Sequence, residues 1–250
     1  MEKKENKLFK FGLVGKDISY SFSRGYFAEK FKQLGLDNYS YVNFDLPEIE
    51  AFEKLLPNNP EIKGMNVTIP YKEAVIPYLN KLDSKAERIG AVNTIKINKK
   101  GLVGYNTDYF GFQKSIEPFL KNYHNNALIL GTGGASKAIA FVFEELNIQY
   151  KFVSRNPKKN QFSYQDLDKE ILEDFSILVN STPLGTHPNV DQKPYIPYQH
   201  LNQKHLLFDL IYNPEKTAFL LEGESRGATI CNGSRMLELQ AEKAWEIWNT

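Results

Sequence analysis

The run Gly131-Thr132-Gly133-Gly134-Ala135-Ser136 stands directly after an apolar stretch, Ala127-Leu128-Ile129-Leu130, and ahead of a segment with helical periodicity. In that setting Gly131 permits a tight turn and Gly133 lets backbone come close to a pyrophosphate. Ser136 is small enough at the third position for close helix–strand packing. Gly134 and Ala135 open the helix, whose unpaired N–H groups and positive dipole end favour phosphate. The chemistry expected is dinucleotide binding. The next strand, Tyr150 to Val153, ends in Ser154-Arg155-Asn156-Pro157-Lys158-Lys159. A carboxylate there would bond the ribose 2′-hydroxyl of NAD. Three cations stand there instead, and a guanidinium can chelate and stack over a 2′-phosphate. Ser154, Arg155 and Lys159 point to NADP; a solvated basic turn is the plainer reading of the same residues.

Three polar clusters lie upstream: Ser19-Tyr20-Ser21-Phe22-Ser23, Asn66-Val67-Thr68-Ile69-Pro70-Tyr71-Lys72, and Asn93-Thr94 with Asn106-Thr107-Asp108. They fall at the ends of expected strands, where ligands of parallel-sheet proteins bind, so they can converge. Each alone has a structural explanation. Ser and Asn are common in turns, and Asp108 can N-cap the helix that follows.

The elements that would carry these residues alternate. Leu8 to Val14 reads as a buried strand ending at Gly15, followed by a helix marked by Phe27, Phe31 and Leu34 and stopped by Gly35. Tyr39 to Phe44 reads as a strand, and Pro47 opens a helix with Ile49, Phe52, Leu55 and Leu56 on one side. Ile62 to Thr68 is the next strand. Val92 to Ile97 and Leu102 to Tyr105 form a hairpin about Lys99-Lys100-Gly101. The alternation restarts at Ala127, with a helix over Ala135 to Leu146 and strands at Tyr150 to Ser154, Ile177 to Asn180, Leu206 to Asp209 and Thr229 to Asn232. Strands alternating with helices imply βαβ units and a parallel sheet. Met236 to Trp248 is amphipathic, with Leu237, Leu239, Ala244, Trp245 and Trp248 on its apolar face. A domain boundary is expected between Tyr105 and Asn126.

Composition narrows the class. The 250 residues are 42% hydrophobic and 24% charged, an ordinary globular mix, and a net charge of +1 gives no overall pull toward nucleic acid or anionic membrane. A single cysteine, Cys231, allows no intrachain disulfide and no cysteine-based zinc cage, and a reducing compartment fits it. Cys231 is expected to be buried rather than reactive. The N-terminal stretch, Met1 to Val14, is too short and too charged for a signal peptide, and no apolar run is long enough for a membrane helix. His187 and His205 lack metal-ligand spacing, so no metal is expected. A cytoplasmic location is the expectation.

Taken in order, the motifs resemble the shikimate dehydrogenase family. The matching pieces are Ser21-Phe22-Ser23, Asn66 to Lys72, Ala91-Val92-Asn93-Thr94, Asn106-Thr107-Asp108 with Gly111-Phe112, Gly131 to Ser136, Asn180-Ser181-Thr182-Pro183, Phe208-Asp209-Leu210-Ile211-Tyr212 and Gln240. The run around Lys72, with Asn93 and Asp108, is the most specific of them. The resemblance implies an α/β, two-domain fold: an N-terminal α/β substrate domain (1–108 plus 234–250) and a Rossmann-type doubly wound NADP-binding domain (109–233). It also implies that the final helix returns to the substrate domain. By the same resemblance Lys72 and Asp108 are the catalytic pair. Ser21 and Ser23 would bind the substrate carboxylate. Asn66, Thr68, Asn93, Asp108 and Gln240 would hold ring hydroxyls, and Tyr212 would line the cleft. The chain departs from the family in having Phe22 between the serines, Arg24 where a proline follows them, Thr132 in the glycine loop, Ser154 and Asn156 around Arg155, and a short C-terminus. Arg24 is a candidate to supply the missing positive charge.

The implied reaction is reversible reduction of 3-dehydroshikimate to shikimate with NADPH, in aromatic amino-acid (chorismate) biosynthesis. Lys72 would stabilise and protonate the carbonyl oxygen as hydride arrives, an effect typically worth about 10²–10⁴ in rate. The partner expected is a small molecule, shikimate or 3-dehydroshikimate, with no nucleic acid or membrane; a monomer or homodimer is expected. A paralogue acting on quinate or aminoshikimate, and a non-catalytic NADP sensor, are the rival readings. A sensor has no use for the proton-handling pair.

Overall fold

The computed structural model describes residues 8–18 and 21–250. Ser19 and Tyr20 of the first polar cluster, and residues 1–7 of the stretch read for a targeting signal, lie outside the described residues. The chain divides into two compact units: the chain up to Thr107 with Gln240–Thr250, and Asp108–Leu239.

The first unit runs β1 (Phe9–Gly15), α1 (Phe22–Gln33), β2 (Tyr39–Asp45), a 3₁₀ segment (Ile49–Lys54) continuing into α2 (Leu55–Asn58), and β3 (Ile62–Val67). There follow α3 (Tyr71–Ala74), β4 (Lys81–Leu82), α4 (Ser84–Ile89), β5 (Thr94–Asn98) and β6 (Gly101–Tyr105). The helix expected from Pro47 is a 3₁₀ segment and one α-turn. Pro57 has no N–H to donate to the Glu53 carbonyl, which breaks a continuous α-helix, and Asn59, the residue before Pro60, leaves the α region and ends the turn. Leu34, expected on the buried face of α1, is exposed, because the chain leaves the helix there on its way into the positive-φ Gly35.

The sheet has the order β2-β1-β3-β5-β6-β4. β1 lies parallel to β2 and β3, the hairpin β5–β6 runs antiparallel onto β3, and the two-residue β4 joins β6 in parallel. Aromatic side chains fill one face: Phe11, Phe27, Phe31 and Tyr41 pack with Ala241, Ala244 and Trp248. The Trp248 indole N–H donates to the Ile95 carbonyl at 3.1 Å. It lies so close over β3 that a Cβ on Gly64 would sit 2.3 Å from its Nε1.

The second unit runs α5 (Asp108–Ile116), β7 (Asn126–Leu130), α6 (Gly134–Glu145), β8 (Gln149–Val153), α7 (Lys169–Asp174) and β9 (Ile177–Asn180). It continues with β10 (Leu206–Asp209), α8 (Ala218–Ser225), β11 (Thr229–Cys231) and the start of α9 (Ser234–Asn249). Its five strands are all parallel, in the order β11-β10-β9-β7-β8. Counted from β7 this is the doubly wound order 2-1-3-4-5, whose switch point lies between β7 and β9. The three central strands, β7, β9 and β10, read as apolar runs because they are buried within the unit. Phe112 of α5 meets Phe143 of α6 and Phe208 of β10 edge-on, at 5.6 and 5.0 Å.

In α9 the buried side chains are Met236, Ala241, Ala244 and Trp248; Leu237, Leu239 and Trp245 are partly covered. Cys231 is half-buried rather than buried, and burial pushes its thiol up to about 11. Among the described residues no helix is long and apolar enough to cross a membrane.

Candidate active site

The glycine loop opens at the switch point of the second unit. Gly131 has φ +108°, a conformation L side chains avoid, and a Cβ there would press on Ser181 Oγ at 2.9 Å. The neighbouring β9 end is tied down: Ser181 donates through its N–H (2.9 Å) and its hydroxyl (2.7 Å) to the Leu130 carbonyl. Gly133 is different. Its φ of −79° suits any residue, but nothing lies within 4 Å of where a Cβ would be. The missing side chain leaves open space in front of the first turn of α6. Ser136 is buried and donates to the Gly133 carbonyl at 2.6 Å, which holds the loop against the helix that Gly134 and Ala135 begin. Backbone N–H groups facing open space at a helix N-terminus fit a pyrophosphate.

At the end of the adjoining β8, Ser154 accepts from the Asn156 N–H at 3.2 Å and shapes the turn, while Arg155, Lys158 and Lys159 are exposed. The turn carries no carboxylate. Among the described groups it therefore fits NADP better than NAD.

The first unit gathers its polar residues where β3, β5 and β6 end or begin. Asn66, on β3, donates through its amide to the Asn93 carbonyl (3.2 Å) and to Thr94 Oγ1 (3.1 Å), and accepts from the Tyr41 hydroxyl at 2.8 Å. Asn93 is buried; its Oδ1 accepts from the Thr107 N–H at 2.6 Å and its Nδ2 donates to Thr107 Oγ1 at 3.1 Å. Asn106 donates to the Ala91 carbonyl at 3.0 Å. This cluster draws the strand ends onto one spot. Thr68 stands one residue past β3, its N–H bonded to the Val14 carbonyl at 2.9 Å. Lys72 lies in α3, half-buried, and its carbonyl accepts from the Val92 N–H at 2.7 Å, which brings α3 beside Asn93. Buried Tyr71 fixes the other side of α3 by donating to the Leu46 carbonyl at 2.7 Å.

Ser21 caps α1, accepting from the Arg24 N–H at 3.4 Å, and Ser23 lies in its first turn. Arg24 is exposed. Gln240 is half-buried on α9 in this unit.

Asp108 and Tyr212 belong to the second unit. Asp108 is the first residue of α5 and 1% exposed, directly following the Thr107 that Asn93 holds. Tyr212 is half-buried in the loop after β10. That loop hangs on Asp209, fully buried at the strand end. Its carboxylate accepts from Asn180 Nδ2 (3.0 Å), the Ile211 N–H (3.0 Å) and the Thr217 hydroxyl (2.6 Å). Burial nevertheless pushes its pKa up to about 6, against the pull of those three donors.

Residues the sequence did not single out for a role therefore do much of the positioning: Tyr41, Thr94, Thr107, Asn180, Ser181 and Asp209. Five of them stand inside quoted motifs, so their presence was visible and only their hydrogen-bond partners were hidden. Tyr41 sits in an aromatic-rich strand outside every quoted motif.

The family described as "Shikimate dehydrogenase substrate binding domain" matches residues 13–95. A shikimate dehydrogenase (NADP(+)) of Methanosphaera stadtmanae is 37% identical over 95% of this chain and 90% of its own length. The crystal structure of shikimate dehydrogenase 1 from Peptoclostridium difficile is 38% identical, with a TM-score of 0.82 over 97% of this chain and 92% of that one. A Thermus thermophilus shikimate 5-dehydrogenase, solved in complex with NADP(H) and shikimate, is 29% identical, with a TM-score of 0.85 over 96% and 92%. With identity of this order spread over nearly the whole of both chains, the chain belongs to the shikimate dehydrogenase family.

Proposed function

We propose that this chain is an NADP-dependent shikimate dehydrogenase, interconverting 3-dehydroshikimate and shikimate in aromatic amino-acid biosynthesis. It would work in the cytoplasm as a monomer or homodimer. The observation that carries the reading is the cluster of Asn66, Asn93, Thr94 and Thr107, cross-bonded at the strand ends with Lys72 tied in through Val92. Fixed amides and hydroxyls of this kind suit a ring bearing several hydroxyls, because each is held in one orientation before the ligand arrives.

Within this reading, bound NADP(H) supplies or accepts hydride at its nicotinamide. Gly131, Gly133, Gly134, Ala135 and Ser136 would hold its pyrophosphate, and Ser154, Arg155 and Lys159 its 2′-phosphate. Ser21 and Ser23 bind the substrate carboxylate. Asn66, Thr68, Asn93 and Gln240 bind ring hydroxyls, and Tyr212 lines the cleft. Lys72 donates a hydrogen bond to the carbonyl oxygen and gives it a proton as negative charge develops there. Asp108 would be the other member of the catalytic pair, to orient the ammonium, accept from the substrate hydroxyl, or do both.

The test follows absorbance at 340 nm with shikimate or quinate against NADP⁺ or NAD⁺. Shikimate with NADP⁺ is expected to give the highest kcat/KM, and a flat trace despite measurable NADP⁺ binding would favour a sensor. Lys72→Ala should cut kcat by at least about a hundredfold while substrate binding is largely kept. Near-normal kcat in that variant would remove Lys72 from the chemistry.

A further inference from the structure

Tyr41, on β2, carries no part of the motifs that mark the site, yet its phenol joins two of them. The ring is buried, stacked on Phe27 at 4.7 Å with an interplanar angle of 12°. Only the hydroxyl faces polar groups. The Asn93 carbonyl can only accept, so the Asn66 amide nitrogen must face it, at 3.2 Å. That leaves the Asn66 amide oxygen toward the phenol, at 2.8 Å, and the phenol must donate. Ser23 is the other polar side chain beside the phenol, and with the phenol proton given to Asn66 its part there would be that of donor. Burial raises the phenol pKa well above its ordinary value, so Tyr41 keeps its proton and remains a donor at any working pH.

The same bonds limit what Asn66 can offer a ligand. Both of its amide protons are committed, one to Asn93 and one to Thr94 Oγ1. What remains toward a ligand is a lone pair on Oδ1, the oxygen that Tyr41 holds. Asn66 therefore meets a ring hydroxyl as an acceptor.

We propose that Tyr41 is a positioning residue for the substrate, its hydroxyl setting the Ser23 side chain and the Asn66 amide oxygen relative to one another. Those two groups are read above as partners of the carboxylate and of a ring hydroxyl, so the inference rests on the proposed function. The span between an acid group and a hydroxyl on one rigid ring is fixed, and a brace between their two partners matches it. Tyr41 touches neither substrate nor cofactor in this account and acts through its neighbours.

The test is Tyr41→Phe, which keeps the stacked ring and removes only the hydroxyl. The shikimate KM should rise about tenfold, as expected for loss of an orienting hydrogen bond, with kcat within about threefold of the parent and the NADP⁺ KM unchanged. In an Asn66→Ala background the same substitution should raise KM by less than about threefold, because a residue acting through Asn66 has little left to act on. A shikimate KM within about twofold of an active parent overturns the inference alone. So does a variant in which thermal stability falls and both KM values rise together, since that marks a merely structural hydroxyl. A parent chain that neither binds nor oxidises shikimate overturns the proposed function, and this inference with it.

Discussion

Arg155 stands exposed at the end of β8, the strand beside β7, and no carboxylate shares its turn. An exposed guanidinium adds little to folding, so its contribution is to be sought in a ligand. It is planar, always charged, and able to bond two phosphate oxygens at once. Arg155→Ala is therefore expected to raise the KM for NADPH roughly tenfold and to leave that for NADH nearly unchanged, a loss of order one charged hydrogen bond. Steady-state kinetics with both cofactors checks it, and an unchanged preference would remove Arg155 from the cofactor site. At this scale the sequence was readable where a residue's type restricts its conformation, as with Gly131 at φ +108°. It was opaque where the role comes from a partner. Nothing in Tyr39-Ser40-Tyr41 says that the second tyrosine reaches Ser23 and Asn66, which lie 18 residues upstream and 25 residues downstream.

Elements were legible where periodicity was strong, and blurred where a single residue broke it. β9 and β10 fall where their apolar runs stand, since both strands are wholly buried. The two-residue β4 leaves no pattern to read, and Pro57 turns an apparent helix into a 3₁₀ segment with one α-turn. What joins elements is less visible still. Asp209 ties the end of β10 to β9 through Asn180 and to the N-cap of α8 through Thr217. Its carboxyl is pushed up to about 6 by burial, so the folded chain binds this proton more tightly than the unfolded chain does. The stability it contributes is full below pH 4 and is lost as pH rises through about 6, by roughly 3 kcal/mol in all. Asp209→Asn removes that titration while keeping the shape. Urea unfolding of both proteins between pH 4 and 7 is expected to show the variant gaining on the parent as pH rises, by about 2–3 kcal/mol across the range. A stability difference that does not change with pH would show that Asp209 is ionised without penalty.

For the molecule as a whole, the consequential feature is that one compact unit is built from both ends of the chain. Ala241, Ala244 and Trp248 complete the aromatic core around Phe11, Phe27 and Tyr41, and the Trp248 indole bonds Ile95 of β5. Gly64 is bare to admit that ring. Truncating one buried large aromatic side chain costs about 3–5 kcal/mol, a large part of the roughly 5–15 kcal/mol that holds a whole domain together. A chain ending at Leu239 keeps all of Asp108–Leu239, with its five parallel strands and glycine loop, and strips the first unit of this packing. Such a chain should bind NADP⁺ within about threefold of the parent affinity, because every proposed cofactor residue lies in the retained unit. Shikimate binding should be lost, since Ser21, Ser23, Asn66 and Asn93 depend on a core that no longer closes. Calorimetric titration with each ligand separately decides it. Retained shikimate binding would mean that the first unit folds without the end of the chain, and loss of NADP⁺ binding that the second unit does not hold its loop alone.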